Sequence, residues 1–229
     1  MGLVSKINRN PFLWKVLMQC KLIIFDFDGT LANSFPVVLN MLDELAQKFN
    51  TKKLDHADIP RLRNYTPQKI MKIHNVRLWK VPAILKFTRT RMRSDAHRIH
   101  KFDGIDEVLR ELHERNIKLG IVTTNTRGIV EQVLGPEIFK LISYFLGEVS
   151  LFGKPKALKK MLTLSGVENS ETLAIGDEIR DLDAATKVNI PFGAVLWGFA
   201  SPEAMGARNP NFTFSQPGQI LELIENQPI

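Results

Sequence analysis

Two aspartates stand one residue apart after an apolar run, in the stretch Leu-Ile-Ile-Phe-Asp-Phe-Asp-Gly-Thr at positions 22–30. In a strand, side chains at i and i+2 share a face, so Asp26 and Asp28 would project together while Phe27 points the other way. Paired carboxylates can divide roles, because one can stay ionised and bind metal while repulsion keeps a proton on the other. Asp-Gly is also typical of a tight turn, so this motif alone leaves a catalytic site and a simple turn both open.

The elements that would position these carboxylates alternate between helix and strand. Beyond Gly104 the pattern predicts helices over 105–115, 128–134, 155–164, 180–187 and 219–225, and strands over 118–123, 144–149, 172–175, 192–196 and around Phe212. Such alternation indicates a parallel sheet with helices on both faces. Ligands of these sheets bind beyond the carboxyl ends of the strands, where the strand order reverses.

Further polar residues follow the predicted strands. Thr123 ends the second strand, Lys154 lies in a Phe-Gly-Lys-Pro loop, and Asp177 and Asp181 lie in Gly-Asp-Glu-Ile-Arg-Asp after the fourth strand. Each is unremarkable by itself, since a loop lysine or a strand-end threonine is common. Together they bring four sites to one edge of the sheet, and the Asp26 motif is then better explained as a site than as a turn.

These four motifs, in this order, resemble those of the haloacid dehalogenase superfamily of phosphohydrolases over nearly the whole chain from Lys21. The resemblance implies an α/β fold with a Rossmann-like parallel-sheet core. It also implies a Mg²⁺ ion held by the Asp26 carboxylate, the Asp28 backbone carbonyl and the Asp177 carboxylate. Asp181 would contribute indirectly, by supporting these ligands or by binding the ion through water. Carboxylate and carbonyl oxygens are the hard ligands that Mg²⁺ prefers.

The resemblance further implies a two-step hydrolysis through an aspartyl-phosphate. Asp26 would be the nucleophile, and Asp28 would protonate the leaving oxygen and then deprotonate the attacking water. Lys154 would compensate the charge around the phosphate. The candidates for holding the phosphate oxygens are Thr123, Thr124 and Asn125.

A helical insertion separates the first motif from the second. The spacing of apolar residues predicts helices over 35–49 and 82–99. Between them, Thr66 is a plausible N-cap for a short helix that begins at Pro67. We therefore expect a core of residues 21–33 and 102–229, a helical cap of residues 34–101, and an N-terminal extension, 1–20, packed on the core as a short helix. A cap in this position resembles the phosphoglycolate phosphatase and beta-phosphoglucomutase branch, where it closes over the site; Arg63 is the candidate cap residue to meet the substrate.

The cap carries most of the positive charge. Residues 34–101 hold 15 Lys or Arg against 5 Asp or Glu, which leaves 16 against 19 in the rest of the chain. A basic helical segment can bind nucleic acid, steer a small anion or be a solvated face. Because aromatic interleaving and a groove-reading motif are lacking, steering of an anionic substrate is favoured and no nucleic acid is expected.

The remaining residues narrow the class of protein. The single cysteine, Cys20, excludes an internal disulfide framework, fits a reducing compartment and would pack as a small apolar side chain. No apolar run reaches the roughly 20 residues that span a bilayer, so no membrane is expected and the location is predicted to be cytoplasmic. The five histidines lack metal-ligand context, and Trp79 and Trp197 are predicted to pack in the core or at a hinge.

The sequence thus predicts a Mg²⁺-dependent phosphatase that hydrolyses a small phosphorylated metabolite, with 2-phosphoglycolate as the candidate substrate. A beta-phosphoglucomutase-like transfer to a sugar stays open, because an aspartyl-phosphate can be passed on to an acceptor other than water. A non-enzymatic module that binds polyanions through the cap also stays open. The oligomeric state is left undetermined.

Overall fold

The computed structural model describes residues 19–225. The predicted N-terminal helix falls almost wholly outside these described residues. In chain order the strands are β1 (Leu22–Phe25), β2 (Ala32–Asn33), β3 (His100–Lys101), β4 (Lys118–Val122), β5 (Tyr144–Leu146), β6 (Thr172–Gly176), β7 (Phe192–Val195) and β8 (Phe212–Phe214).

The helices that alternate with these strands, in chain order, are α1 (Phe35–Phe49), α2 (Ile59–Leu62), α3 (Pro67–Ile73), α4 (Val81–Ser94), α5 (Ile105–Glu114), α6 (Arg127–Leu134), α7 (Pro136–Phe139), α8 (Lys154–Ser165), α9 (Ile179–Lys187), α10 (Pro202–Gly206) and α11 (Gln219–Glu225). Short 3₁₀ turns occur at His56–Asp58, Leu78–Lys80, Ala96–Arg98 and Asn169–Glu171. Of the described helices, none is long and apolar enough to cross a membrane.

Six strands form one parallel sheet in the order β5-β4-β1-β6-β7-β8. The chain builds outward from β1 through β4 to β5, then returns to the other side of β1 to add β6, β7 and β8. Strand order therefore reverses at β1, whose Leu22 is in register with Lys118 of β4 and Thr172 of β6. In this topology the crevice at the carboxyl ends of β1 and β6 is the place where ligands bind, which confirms the predicted α/β fold.

Both faces of the sheet are buried, as the apolar run in β1 predicts. Ile23 and Phe25 belong to the apolar cluster on one face, and Leu22 and Ile24 belong to the cluster on the other. This division follows from the period of two in a strand. Cys20 is 6% exposed and joins the first cluster, so it packs as a small apolar side chain as predicted.

The insertion between β2 and β3 is helical and contains α1 to α4. Thr66 caps α3 as expected, because its hydroxyl accepts a hydrogen bond from the Lys69 amide at 3.4 Å. The helix predicted over 82–99 instead ends at Ser94, because Asp95 leaves helical geometry at φ −100° and ψ 8° and a 3₁₀ turn follows. The antiparallel ribbon of β2 and β3, which the sequence did not reveal, lies at the two ends of the predicted cap.

One packing prediction is wrong. Trp79 is 71% exposed, because it lies on the Leu78–Lys80 turn at the start of α4 and not in the core or at a hinge. Trp197 is partly buried against the core, and its Nε1 donates to the Thr30 carbonyl at 3.1 Å. Of the histidines, His74 is buried and the other four are exposed, as a surface or packing role requires.

Candidate active site

Asp26 lies just beyond the last residue of β1 and is 5% exposed. Its Oδ1 accepts a hydrogen bond from the Phe27 amide at 2.8 Å, and its Oδ2 accepts one from Lys154 Nζ at 2.6 Å. Phe27 is fully buried in the apolar core. The alternation predicted from the motif therefore places the Asp26 carboxylate toward the site and the phenylalanine away from it.

Lys154 joins Asp26 to a second carboxylate. It is the first residue of α8, it is 5% exposed, and its Nζ also contacts Asp181 Oδ1. The other oxygen of Asp181 accepts from the Glu178 amide at 3.1 Å, and the Glu178 side chain in turn accepts from the amide of Asp181, so the two residues form a capping box at the start of α9. Asp181 thus has both oxygens engaged, by a lysine and by a helix terminus.

Asp177 follows β6 directly and is 1% exposed. The Thr30 hydroxyl donates to its Oδ1 at 2.9 Å and the Phe199 amide donates to its Oδ2 at 2.8 Å. Glycines make room for this carboxylate, since a Cβ at Gly29 or at Gly198 would overlap it, and Gly29 also has φ +74°. Asp177 is therefore held in one orientation by two separate loops, one containing Gly29 and Thr30 and the other Gly198 and Phe199.

The carboxylates of Asp26, Asp177 and Asp181 each offer an oxygen, and these three oxygens lie within 4.8 Å of one another. All three residues are buried, and such a set of hard anionic donors suits a divalent cation such as Mg²⁺. The Asp28 carboxylate is not part of this group. The acidic cluster can hold a metal ion.

Burial governs the protonation of this cluster. It raises the pKa of Asp26 to about 7, an effect that Lys154 opposes and Asp181 reinforces. Burial raises the pKa of Asp28 too, and it raises that of Asp177 strongly with help from Glu178. Lys154 remains a cation, because the carboxylates of Asp181 and Asp26 outweigh burial and raise its pKa. Without a metal, Asp26 therefore titrates near neutral pH, and metal binding would release its proton.

Asp28 has a different hydrogen-bond partner from Asp26. Its Oδ2 accepts from Asn125 Nδ2 at 2.8 Å, whereas its buried Oδ1 has no hydrogen-bond partner among the described residues. Asn125 in turn donates its amide to the Thr123 hydroxyl at 3.1 Å. The structure thus brings Thr123 and Asn125 to the site, with the Asn125 side chain on Asp28; Thr124, between them, is partly exposed.

A cavity of about 450 Å³ opens beside Asp28 and Asp177. Arg63, from the turn after α2, lines it and donates from Nε to the Phe199 carbonyl at 2.7 Å and from Nη2 to the Gly198 carbonyl at 3.0 Å. Apolar side chains make up much of the remaining wall, namely Phe35, Val38, Ile70, Met71, Phe102, Trp197 and Phe199. The cavity lies between the inserted helices and the loops that follow the strands, which makes it a suitable compartment for a small molecule.

Several residues at the site received no role from the sequence. Thr30 and Phe199 bind Asp177, and Glu178 lines the cavity while pairing with Arg180. Thr30, Glu178 and Arg180 lie inside the two acidic motifs, so their positions in the sequence were a usable signal. Phe199 follows β7 in a loop without any motif, and only the fold brings it to Asp177.

The chain matches the haloacid dehalogenase-like hydrolase family over residues 23–195, and it belongs to that family. It is 28% identical over 203 residues to the phosphoglycolate phosphatase of Synechococcus elongatus, covering 88% of this chain and 96% of that one. It is 24% identical over 213 residues to the pyrophosphatase PpaX of Listeria monocytogenes, covering 90% and 96%. Among solved structures, a haloacid dehalogenase-like family hydrolase from Streptococcus pneumoniae shares its fold with a TM-score of 0.72 at 18% identity, covering 89% and 98%.

The protein is therefore an enzyme, a phosphatase of the haloacid dehalogenase-like hydrolases whose relatives include phosphoglycolate phosphatases. This confirms the predicted family, fold and enzyme class. Membership of a hydrolase family speaks against the alternative of a non-enzymatic module that binds polyanions.

Proposed function

We propose that this protein is a Mg²⁺-dependent phosphatase that hydrolyses a small phosphomonoester through an aspartyl-phosphate on Asp26. The observation that carries the proposal is the position of Asp26. At the end of the central strand, its buried carboxylate accepts a hydrogen bond from the Lys154 ammonium and belongs to a group of three carboxylates able to hold a divalent cation. An anionic phosphoryl group needs this combination of an in-place nucleophile and concentrated positive charge.

In the first step, an ionised Asp26 oxygen bonds to phosphorus while the bond from phosphorus to the leaving oxygen breaks. Ionisation of Asp26 is favoured by Lys154 at 2.6 Å, which opposes the burial that raises its pKa. A Mg²⁺ ion held by Asp26, Asp177 and the Asp28 carbonyl would neutralise the phosphate charge and favour that ionised state. Asp181, engaged by Lys154 and the Glu178 amide, would orient the lysine and reach the ion through water.

Asp28 has the features of the acid and base. Burial raises the pKa of its carboxyl group, which favours the protonated form that donates to the leaving oxygen. Asn125 holds one oxygen and leaves Oδ1 free to handle a proton. In the second step the same group takes a proton from water as the water oxygen attacks the aspartyl-phosphate, which releases phosphate and regenerates Asp26.

Phosphate oxygens need donors besides the lysine. The Thr123 hydroxyl, which accepts from the Asn125 amide, keeps its own proton available for a phosphate oxygen. Thr124 lies next to it and is partly exposed, so it is a second donor. Asn125 acts chiefly through Asp28, because its side-chain amide already donates to that carboxylate.

We propose 2-phosphoglycolate as the first substrate to test, because the phosphoglycolate phosphatase relative aligns over 88% of this chain. The cavity supports a small anionic substrate, since the cationic side chain of Arg63 is part of its lining. The basic cap would raise the local concentration of such an anion. A cytoplasmic location and the absence of a nucleic-acid or membrane partner remain predictions, as does the division into a core and a cap at residues 34–101.

The decisive experiment compares the wild type with Asp26→Asn, using release of phosphate from an aryl phosphate with and without Mg²⁺. We expect metal-dependent turnover in the wild type and at least a thousandfold loss in the variant, because the amide is a very poor nucleophile. Asp103→Asn, which removes an exposed carboxylate outside the cluster, is the matched control and should turn over normally. Equal turnover in Asp26→Asn and the wild type would refute the assignment.

A substrate screen then tests the finer proposal. It should include 2-phosphoglycolate, hexose phosphates and pyrophosphate, the last because one relative is named a pyrophosphatase. Product analysis with a sugar phosphate separates hydrolysis from the mutase alternative, since a mutase returns an isomeric sugar phosphate instead of inorganic phosphate. A preference for pyrophosphate over every monoester would overturn the monoester proposal while leaving the hydrolase assignment intact.

A further inference from the structure

Arg180 is a nearly buried cation beside the acidic cluster, and none of the roles described above uses it. It is the second residue of α9, and its side chain is 13% exposed. Nη2 donates to Glu178 Oε1 at 2.7 Å. Its Nε and Nη1 are buried and have no hydrogen-bond partner among the described residues. Three of the five N–H groups of the guanidinium are therefore unpaired.

Helix stability does not explain an arginine at this position. A cation in the first turn of a helix is repelled by the positive end of the helix dipole. Buried donors without acceptors add a further penalty, because they lose their hydrogen bonds to water on folding. Arg180 costs the fold stability on both counts, so its placement calls for a reason in the chemistry of the site.

The charges around Arg180 supply that reason. Although burial opposes its charge, the carboxylates of Glu178, Asp181 and Asp26 raise the pKa of Arg180, so the guanidinium is cationic. In return it offsets part of the rise in pKa that burial imposes on Asp26 and Asp28. Its hydrogen bond to Glu178, the capping-box partner of Asp181, places this positive charge beside the acidic cluster.

A count of formal charges shows what Arg180 changes. The carboxylates of the site are those of Asp26, Asp28, Asp177, Glu178 and Asp181, and its cationic side chains are those of Lys154 and Arg180. These five negative and two positive charges are brought to neutrality by one divalent cation and one proton on Asp28. Without Arg180 the same site would carry one negative charge and would repel an incoming phosphate dianion.

We propose that Arg180 is a positioning residue that sets the balance between metal affinity and phosphate affinity in this site. It does so by holding the Glu178 carboxylate and by supplying a second fixed positive charge beside the acidic cluster. Because its unpaired donors are buried, Arg180 acts through its charge and not through contact with the substrate. The proposal rests on the proposed function, because it concerns the same metal and phosphate.

The test uses Arg180→Met, which removes the charge, and Arg180→Lys, which keeps it. Mn²⁺ binding to the metal-stripped full chain is followed by electron paramagnetic resonance. Inorganic phosphate binding is followed as product inhibition of aryl-phosphate hydrolysis with Mg²⁺ present. We expect Arg180→Met to bind Mn²⁺ about tenfold more tightly and phosphate about tenfold more weakly, as expected for loss of one charge at short range in a partly buried site. Arg180→Lys should stay within about threefold of the wild type for both affinities.

Opposite shifts in the two affinities are the signature, because a merely structural role would weaken both or neither. Unchanged affinities, or a joint loss of both, would overturn the proposal. If Arg180→Met does not unfold cooperatively, Glu178→Gln is the deciding variant, because it removes the anion of the same ion pair. Glu178→Gln should bind Mn²⁺ more weakly and phosphate more tightly than the wild type. The absence of these two shifts would overturn the proposal. A wild type that binds Mn²⁺ but releases no phosphate refutes the proposed function instead, and the Mn²⁺ comparison still reads the effect of Arg180.

Discussion

Asp26→Asn should change how the stability of the metal-free protein depends on pH. Burial raises the pKa of Asp26 to about 7 in the folded protein, whereas a carboxyl group of this type titrates near 3.9 in an unfolded chain. The folded state therefore holds the proton more tightly. The stability that this proton contributes is complete below the unfolded pKa, falls as pH rises, and is lost once pH passes the folded pKa.

The size of the effect follows from the two pKa values. A difference of about three units corresponds to about 4 kcal/mol in the free energy of unfolding. Between pH 5 and pH 8, linkage assigns about 2 to 3 kcal/mol of this to Asp26, because part of it is already lost by pH 5. Asparagine has no proton to lose in this range. The free energy of unfolding of Asp26→Asn, relative to the wild type, should therefore rise by that amount from pH 5 to pH 8.

Urea unfolding in EDTA, followed by circular dichroism at several pH values, measures this difference. Asp103→Asn is the matched control, since it removes an exposed carboxylate outside the cluster. Adding Mg²⁺ should stabilise the wild type at pH 8 more than Asp26→Asn, because the ion binds the ionised carboxylate of the folded state. A relative stability that is flat, or that falls with pH, would refute the assignment of Asp26 as a buried carboxyl group with a raised pKa.

Three further variants test separate parts of the site. Gly198→Ala should raise the Mg²⁺ concentration for half-maximal activity, because a Cβ there overlaps the Asp177 side chain; Gly206→Ala, where a Cβ meets open space, is its control in the same titration. Arg89→Met removes the 2.7 Å hydrogen bond from Arg89 Nε in α4 to the Thr124 carbonyl, and it should raise KM roughly tenfold with little change in kcat. An unchanged KM would speak against cap closure through this contact. Lys154→Met should lower kcat by at least a hundredfold and move the acid limb of the pH–rate profile to higher pH, because Asp26 loses the cation that lowers its pKa.

Much of the fold follows from local sequence pattern. The alternation of apolar runs and amphipathic stretches places α1 and α11 at their observed ends, and it predicts a parallel sheet because strands separated by helices cannot pair as hairpins. Shorter features escaped detection. The β2–β3 ribbon has two residues in each strand, and α7 and α10 have four and five residues, too few to show a period. Trp79 was misplaced because hydrophobicity alone does not tell a buried tryptophan from an exposed one.

Residue types and their spacing are enough to identify the groups that can do chemistry. Asp26, Asp28, Lys154 and Asp177 stand at the ends of predicted strands or in the loops after them, and the topology of a parallel sheet sends such positions to one edge. Residue type then fixed the chemistry, because carboxylates and a lysine in one place suit metal and phosphate.

The pairing of these groups follows from the folded chain and not from local sequence. Lys154 contacts Asp26 across 128 residues of sequence and Asn125 contacts Asp28 across 97, distances over which no local pattern can specify a partner. The fold also decided which groups are buried, and burial raises the pKa of Asp26 and leaves Arg180 as a nearly buried cation. Desolvation depends on everything packed around a group, and this is why the motif reveals the aspartate but not its protonation.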